Sequence, residues 1–262
     1  MVAIMNLAEK LNKYSKDYWD FQDYRKEAPL VRYPAIMVAP MQECILREVI
    51  NADSSIKNVL DPFSGSGTVL VEGQKLGLDV IGLDINPLAI LLTQVQLEGV
   101  PANEIDTHNA DLFARIVMLN GNVKPLCFTN VKKWFTDEVI ASLSVIRQEI
   151  MGENDDRIRR FYWCCFAETV KKYSNTRTST FKLHIKDEKH IAAQIDDSID
   201  FFFYMKVPND FEPISDSFTE DNCKEFLRWV SLDENIIMYP TFFRTELKNP
   251  TDTVRHFVTD ER

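Results

Sequence analysis

No apolar run in this 262-residue chain approaches the roughly 18 residues that a membrane-spanning helix needs. The opening stretch, Met1 to Lys13, mixes short apolar pieces with Glu9, Lys10 and Lys13, without the apolar core or cleavage site of a secretory leader. A cytoplasmic protein with no membrane partner is expected. Cysteines are few and odd in number: Cys44, Cys127, Cys164, Cys165 and Cys223, with no Cys-x-x-Cys pair, which points away from a disulfide framework and from a zinc knuckle. The four histidines, His108, His184, His190 and His256, are scattered, so no metal site is expected. Positive charge is also short. Thirty Lys and Arg stand against 40 Asp and Glu, a net charge of −10. That balance argues against a strong unaided grip on nucleic acid while leaving room for a local basic patch. Glycine is scarce, with 8 residues, and Phe plentiful, with 17, which excludes a linker or a disordered chain. The eleven prolines are all isolated; there is no Pro-Pro dipeptide.

What is present is ordinary globular composition, 45% apolar and 27% charged, in a length that suits one or two domains. Residues 1–30 are charged and aromatic, with Tyr14, Tyr18, Trp19, Phe21 and Tyr24, and read as an N-terminal arm with helical pieces whose rings pack against the body. Residues 38–50 place Met41, Ile45, Leu46 and Val49 on one face of a helix. Ile56 to Leu60 reads as a strand and Asp61 to Thr68, DPFSGSGT, as a loop of small residues. Val69 to Leu76 reads as a helix that Gly77 closes, and Asp79 to Leu83 as a second strand. Asp84-Ile85-Asn86-Pro87 then leads into a helix over Leu88 to Gln96, with Pro87 at its first position. This β-α-β-α order opens a doubly wound, mostly parallel sheet with a right-handed crossover.

Beyond Gly99 the alternation stops. Helices are expected over Asp137 to Met151, over Asp155 to Lys172, and over Asp221 to Val230. Asn175 to Ile185 is polar and then β-like, and Ile199 to Met205 is short and very apolar. Asp111 reads equally well as a group near an adenine or as a helix N-cap before Leu112. Cys164 and Cys165 read as core.

The loop DPFSGSGT carries the chemistry. Gly65 and Gly67 permit tight turns and close approach of a ligand. The helix that follows presents unpaired amides and the positive end of its dipole, which suit a carboxylate or a phosphate. Asp61 at the strand tip repels a pyrophosphate and attracts an ammonium. The methionine end of S-adenosylmethionine bears both a carboxylate and an ammonium. Asp84, about 20 residues after the glycines, stands where an acid accepts hydrogen bonds from both ribose hydroxyls, and Ile85 where it packs on the adenine. The loop is not a P-loop, having no Gly-Lys-Ser/Thr ending, nor a Gly-x-Gly-x-x-Gly dinucleotide fingerprint, since Val69 and Leu70 follow Thr68. A purely structural glycine turn is the plain alternative.

The run DPFSGSGTVLVEGQKLGLDVIGLDINPLA resembles the cofactor motifs of the N6-adenine and N4-cytosine DNA methyltransferases, most strongly over 59–90. Arg32 to Pro40, RYPAIMVAP, resembles the segment that precedes the cofactor motif in permuted members and folds over the methionine part, which implies roles for Tyr33, Pro34 and Ala35. Trp19-Asp20-Phe21 resembles the start of one subgroup, and Tyr173 to Lys182 a stretch of that subgroup's helical insertion. The resemblance implies cofactor contacts from Tyr33, Pro34, Ala35, Asp61, Pro62, Phe63, Ser64, Gly65, Ser66, Gly67, Thr68, Asp84, Ile85, Asn86 and Pro87. It also makes Asn175, Thr176, Arg177, Thr178 and Lys182 candidate DNA contacts. The implied fold is a partial Rossmann-like methyltransferase sheet with a helical insertion. It divides into an arm (1–30), a cofactor-binding half (31–115) and a mostly helical region that contacts a partner or DNA (116–262).

The missing Pro-Pro dipeptide now matters. Exocyclic amines of bases are poor nucleophiles because their lone pairs are delocalised into the ring. The family answers with Asp/Asn/Ser-Pro-Pro-aromatic, which accepts hydrogen bonds from the amine and stacks on the extruded base. Tyr239 to Phe243 and Val207 to Phe211 are the nearest look-alikes, and neither matches. No catalytic residue is therefore assigned. In the permuted order the motif would follow the insertion, about where the chain ends. An open parallel edge is also an aggregation hazard. A split methyltransferase, completed by a second subunit that carries the motif and the remaining strands, is expected; a truncated remnant is the alternative. A non-catalytic cofactor-binding or scaffold protein of a restriction or defence system, and an RNA base methyltransferase, are the other readings. Arg157, Arg159, Arg160, Lys171, Lys172, Arg177 and Lys182 form the most basic stretch, readable as phosphate contacts or as a solvated helix face.

Overall fold

A computed structural model describes residues 2–21, 24, 30–31, 33, 36–100, 102–119, 122–177 and 184–205. The chain divides into two compact units, with the sequence passing from the first to the second between Gly99 and Val100 and with Leu30–Arg32 assigned to the second. Among the described residues it is a mixed, largely helical structure with one small parallel sheet. The helix expected over Asp221 to Val230 lies outside the described residues.

The first unit runs α1 (Val2–Leu11), a 3-10 turn (Lys16–Trp19), α2 (Ala39–Ala52), β1 (Asn58–Asp61), α3 (Thr68–Lys75), β2 (Asp79–Gly82) and α4 (Pro87–Glu98). β1 and β2 pair in parallel, from Asn58 opposite Asp79 to Asp61 opposite Gly82. The alternation of a strand sets Val59 and Val80 toward Gly73 of α3, and leaves Leu60 and Ile81 on the other face. α3 stops because Gly77 turns left-handed at φ +77°. Gly77 N then donates to the Gln74 carbonyl at 2.9 Å, and Leu78 N to the Gly73 carbonyl at 3.0 Å, which satisfies the last carbonyls of the helix. α4 starts as the sequence predicts. Asn86 Oδ1 accepts from Leu88 N at 3.1 Å, and Pro87 supplies a pre-set φ. The aromatic arm is held to α2: Tyr14 and Tyr18 stack at 4.3 Å, and Tyr14 Oη donates to Glu48 Oε1 at 2.8 Å.

The second unit contains α5 (Ala102–Leu119), α6 (Val131–Trp134), α7 (Asp137–Met151), α8 (Asp156–Tyr173), α9 (Glu188–Ala192) and α10 (Ser198–Tyr204). α7 and α8 fall where the spacing predicts them, capped by Thr136 and by Asp155, whose side chain accepts from Arg157 N and Ile158 N. Phe161 to Phe166 are all buried, so this stretch of α8 has no solvent face. The apolar run after Ile199 is helical, with Phe202 buried against Tyr162. Asp111 lies inside α5 and is exposed, which removes the N-cap reading.

Candidate functional site

β1 delivers Asp61 to the C-terminal edge of the parallel pair. Its carbonyl accepts from Leu83 N at 2.9 Å and its Oδ1 from Phe63 N at 3.0 Å, so the chain turns immediately after the strand. The residue is 8% exposed, and Oδ2 is buried with no hydrogen-bond partner among the described residues. Ser64 repeats the pattern. Its amide donates to the Leu83 carbonyl at 2.9 Å, while its hydroxyl is buried and has no partner among the described residues. A buried polar group left unpaired costs about 1–3 kcal/mol, and a charged one more. Two such groups in one turn form an arrangement that a donor-bearing ligand completes.

The turn closes at Gly67, with φ +78°, and a Cβ there would stand 2.7 Å from Thr93 Cγ2. Both facts demand glycine. Gly67 caps α3 without a side-chain oxygen, so the first-turn amides receive no acceptor from their own cap. A helix start of this kind favours an anion. The two halves of the charge pattern, a buried carboxylate oxygen and a helix N-terminus, therefore meet in one eight-residue loop.

Asp84 follows β2. Its Oδ2 accepts from Gly65 N and its Oδ1 from Asn86 N, each at 2.8 Å. It braces both loops at once, a role the sequence pattern did not disclose. Each carboxylate oxygen still has a lone pair for a hydroxyl donor. Tyr33 is drawn in beside them: its Cε1 lies 3.6 Å from the Cβ position of Gly65, and its hydroxyl accepts from Asn86 Nδ2 at 3.3 Å. Phe63 and Ile85 are 82% and 84% exposed, two large apolar side chains at the loop tips. Ser66 and Thr68 are buried, with their hydroxyl oxygens 3.5 Å apart, and Pro62 is exposed. The structure thus brings Tyr33, the residues from Asp61 to Thr68, and those from Asp84 to Pro87 to one edge; Pro34 and Ala35 lie outside the described residues.

Sequence reasoning missed two residues here. Thr93 and Gln96 sit in an apolar helix yet are 1% and 9% exposed. Thr93 Oγ1 donates to the Gly65 carbonyl at 3.2 Å, and Gln96 Nε2 donates to the Ser66 carbonyl at 2.8 Å. The available signal was a polar set, Thr93, Gln94 and Gln96, among the apolar Leu91, Leu92, Val95 and Leu97.

In the second unit, Asn175 and Thr176 are buried rather than displayed. Asn175 N donates to the Trp134 carbonyl at 2.7 Å, and Ser174 and Thr176 place their hydroxyl oxygens 2.5 Å apart. Lys186 Nζ donates to the Ser174 carbonyl at 2.9 Å, and burial lowers its pKa below the ordinary lysine value. Arg177 is exposed, just past the bridge of Thr176 with Ile185; Thr178 and Lys182 lie outside the described residues. Of the basic stretch, Arg157 pairs with Glu104 and Arg159 with Asp156, while Lys172 Nζ stands 3.5 Å over the Phe201 ring. Much of that charge is therefore engaged locally.

Residues 4–94 match the N6_N4 methyltransferase family model, described as DNA methylase. Over 160 residues the chain is 34% identical to Type II methyltransferase M.MvaI of Kocuria varians, covering 58% of this chain and 35% of that protein. Over 151 residues it is 25% identical to Type II methyltransferase M.MjaII of Methanocaldococcus jannaschii, covering 54% of this chain and 28% of that protein. The chain spans about a third of the length of these curated relatives. No solved structure matches. Among the described residues no helix is long and apolar enough to cross a membrane.

Proposed function

We propose that the chain is a member, through residues 4–94, of the N6-adenine/N4-cytosine DNA methylases, and that it is the S-adenosylmethionine-binding subunit of a DNA methyltransferase whose Pro-Pro catalytic motif stands on a partner chain. The observation that carries the cofactor half of this reading is Asp61 Oδ2, a carboxylate oxygen buried without a partner among the described residues, beside the equally unpartnered Ser64 hydroxyl. An ammonium satisfies that oxygen, and the uncapped amides at the start of α3 suit the adjoining carboxylate. Asp84 offers its remaining lone pairs to ribose hydroxyls, and the exposed Ile85 and Phe63 offer apolar surface to a purine. When bound, S-adenosylmethionine supplies an activated methyl group; the residues named here bind and orient it.

The partner half rests on two observations. The sequence has no Pro-Pro dipeptide to accept hydrogen bonds from an exocyclic amine. Leu60 and Ile81, paired across the strands on the face away from α3, are 58% and 51% exposed. A parallel sheet is ordinarily covered on both faces and continued at its edges, so this bare apolar pair fits a sheet completed by further strands and helices. DNA is the proposed substrate and adenine N6 or cytosine N4 the proposed acceptor, in a Rossmann-like, permuted arrangement. The names of the relatives fit a modification enzyme of the type II class.

The test is methyl transfer to DNA by the purified chain with and without the product of the neighbouring reading frame. Transfer only with both proteins supports the proposal. Robust transfer by the verified single chain overturns the split arrangement while leaving the cofactor site intact.

A further inference from the structure

We propose that Thr93 and Gln96 of α4 are positioning residues that set the polarity of the glycine loop, and thereby decide whether it accepts the amino-acid end of its ligand. The inference rests on the cofactor reading above. A loop that receives a carboxylate must present donors, yet every residue of that loop also carries a carbonyl oxygen. Carbonyls facing the ligand would repel the anion the helix start attracts.

α4 resolves the conflict. Thr93 Oγ1 takes the Gly65 carbonyl at 3.2 Å, and Gln96 Nε2 takes the Ser66 carbonyl at 2.8 Å. The Ser64 carbonyl is taken from within the turn by Gly67 N at 2.7 Å. Three successive carbonyls are thus bound on the protein side. Meanwhile Gly65 N is committed to Asp84 Oδ2, so the loop is pinned by both chemistries, donors from α4 and an acceptor from the β2 loop. The fit is close: a Cβ on Gly67 would meet Thr93 at 2.7 Å, so α4 touches the loop at the residue that caps α3.

A general packing role does not explain the residue types. Thr93 is 1% and Gln96 9% exposed, inside a helix whose neighbours Leu91, Leu92, Val95 and Leu97 are buried apolar residues; Gln94 is buried as well, but no bond from it to the loop is seen among the described residues. Leucine or valine would fill such positions without the cost of burying a polar group. The polar types match the loop carbonyls, and both donors are spent on them. Gln96 Nε2 also reaches the Leu92 carbonyl at 3.4 Å, which fixes its rotamer along the helix.

The experiment uses the full chain and two ligands, S-adenosylmethionine and methylthioadenosine, which keeps the nucleoside and lacks the amino acid. Thr93→Val preserves shape and removes the donor; Gln96→Leu does the same at the second position. Each is expected to weaken S-adenosylmethionine by about five- to tenfold, as for loss of one hydrogen bond. Methylthioadenosine affinity should stay within about twofold, while the midpoint of thermal unfolding falls by only a few °C, as for loss of one buried hydrogen bond. Thr93→Ser, which keeps the hydroxyl, restores wild-type discrimination. Equal weakening of both ligands would mean general damage to the fold and overturn the proposal, as would unchanged discrimination in both variants. Should Gln96→Leu fail to fold, the Thr93→Val and Thr93→Ser pair decides alone. If the wild-type chain binds methylthioadenosine and S-adenosylmethionine equally, the positioning role falls while the nucleoside site stands. If it binds neither, the cofactor reading itself has failed.

Discussion

The loop from Asp61 to Thr68 and the segment from Ser174 to Arg177 are both polar, hydroxyl-rich and largely buried, but they spend their hydrogen-bonding groups differently. Around Ser174 the groups are consumed internally. The Ser174 hydroxyl donates to the Lys171 carbonyl at 2.9 Å and meets Thr176 Oγ1, Asn175 Nδ2 donates to the Lys133 carbonyl, and the Lys186 ammonium covers the Ser174 carbonyl. One neutral amide oxygen, Asn175 Oδ1, is left over among the described residues. Around Asp61 the leftover group is a carboxylate oxygen, joined by a hydroxyl, and the neighbouring apolar tips are bare. A neutral amide oxygen without a partner is a modest structural cost; a carboxylate oxygen in that state is far more expensive. The Ser174 segment is a fastener within its unit, whereas the Asp61 loop keeps unpartnered acceptors that suit the cationic ligand proposed above.

The sharpest way to break this contrast is Asp61→Asn. Removing the charge should weaken S-adenosylmethionine by about 1.5–3 kcal/mol, roughly 10- to 100-fold. The ligand-free chain should unfold at the same temperature or higher, because a neutral amide is less costly to bury than a carboxylate with one unpartnered oxygen. Calorimetric titration and a thermal melt read the two effects separately, and a loss of stability with unchanged affinity would make Asp61 a structural residue. Next in size is Asp84→Ala, which strips an acceptor from both Gly65 N and Asn86 N. Here affinity and stability should fall together, each by about 1–3 kcal/mol. A fall in affinity alone would show that the bracing contributes little.

Ser174→Ala should do the opposite of Asp61→Asn: stability lower by about 1 kcal/mol and S-adenosylmethionine affinity unchanged, since its hydroxyl serves only internal partners. A denaturant titration with and without ligand checks it. The smallest effect belongs to Arg177→Ala. Its side chain is exposed beyond the buried fastener, so stability should shift by less than about 0.5 kcal/mol. With the partner present, DNA binding should lose about one unit of salt slope if Arg177 meets a phosphate. No change in slope would remove it from the DNA surface.

Much of the first unit was legible because its signals are local. Gly77 after a helical run, Asn86-Pro87 before the next, and two short strand-like runs on either side of the helix each act within a few residues, and each marks the element it predicts. The carboxylates at the two strand tips were legible for the same reason. Thr93 and Gln96 were not, because a polar residue in a helix ordinarily reads as a solvated position. Only the three-dimensional approach of α4 to the loop, some 30 residues earlier in sequence, turns them inward. The double use of Asp84 was hidden likewise: its spacing points to a ribose contact, while its bonds to Gly65 and Asn86 depend on how two loops meet. Asp111 misled because an acidic residue before an apolar one resembles a cap; α5 in fact begins at Ala102 and carries Asp111 on its outer face. The run at Ile199 to Met205 is too short and too uniformly apolar for periodicity to separate strand from helix, and packing of Phe202 and Phe203 decides it.

The most direct measurement is isothermal titration of the purified wild-type chain with S-adenosylmethionine, repeated with the Asp61→Asn variant. Saturable one-to-one binding by the wild type, weakened at least tenfold in a variant that melts no lower, is the predicted result. Absence of binding by a folded wild-type chain, alone and with its neighbouring-frame partner, would contradict the account and leave the loop as a purely structural turn.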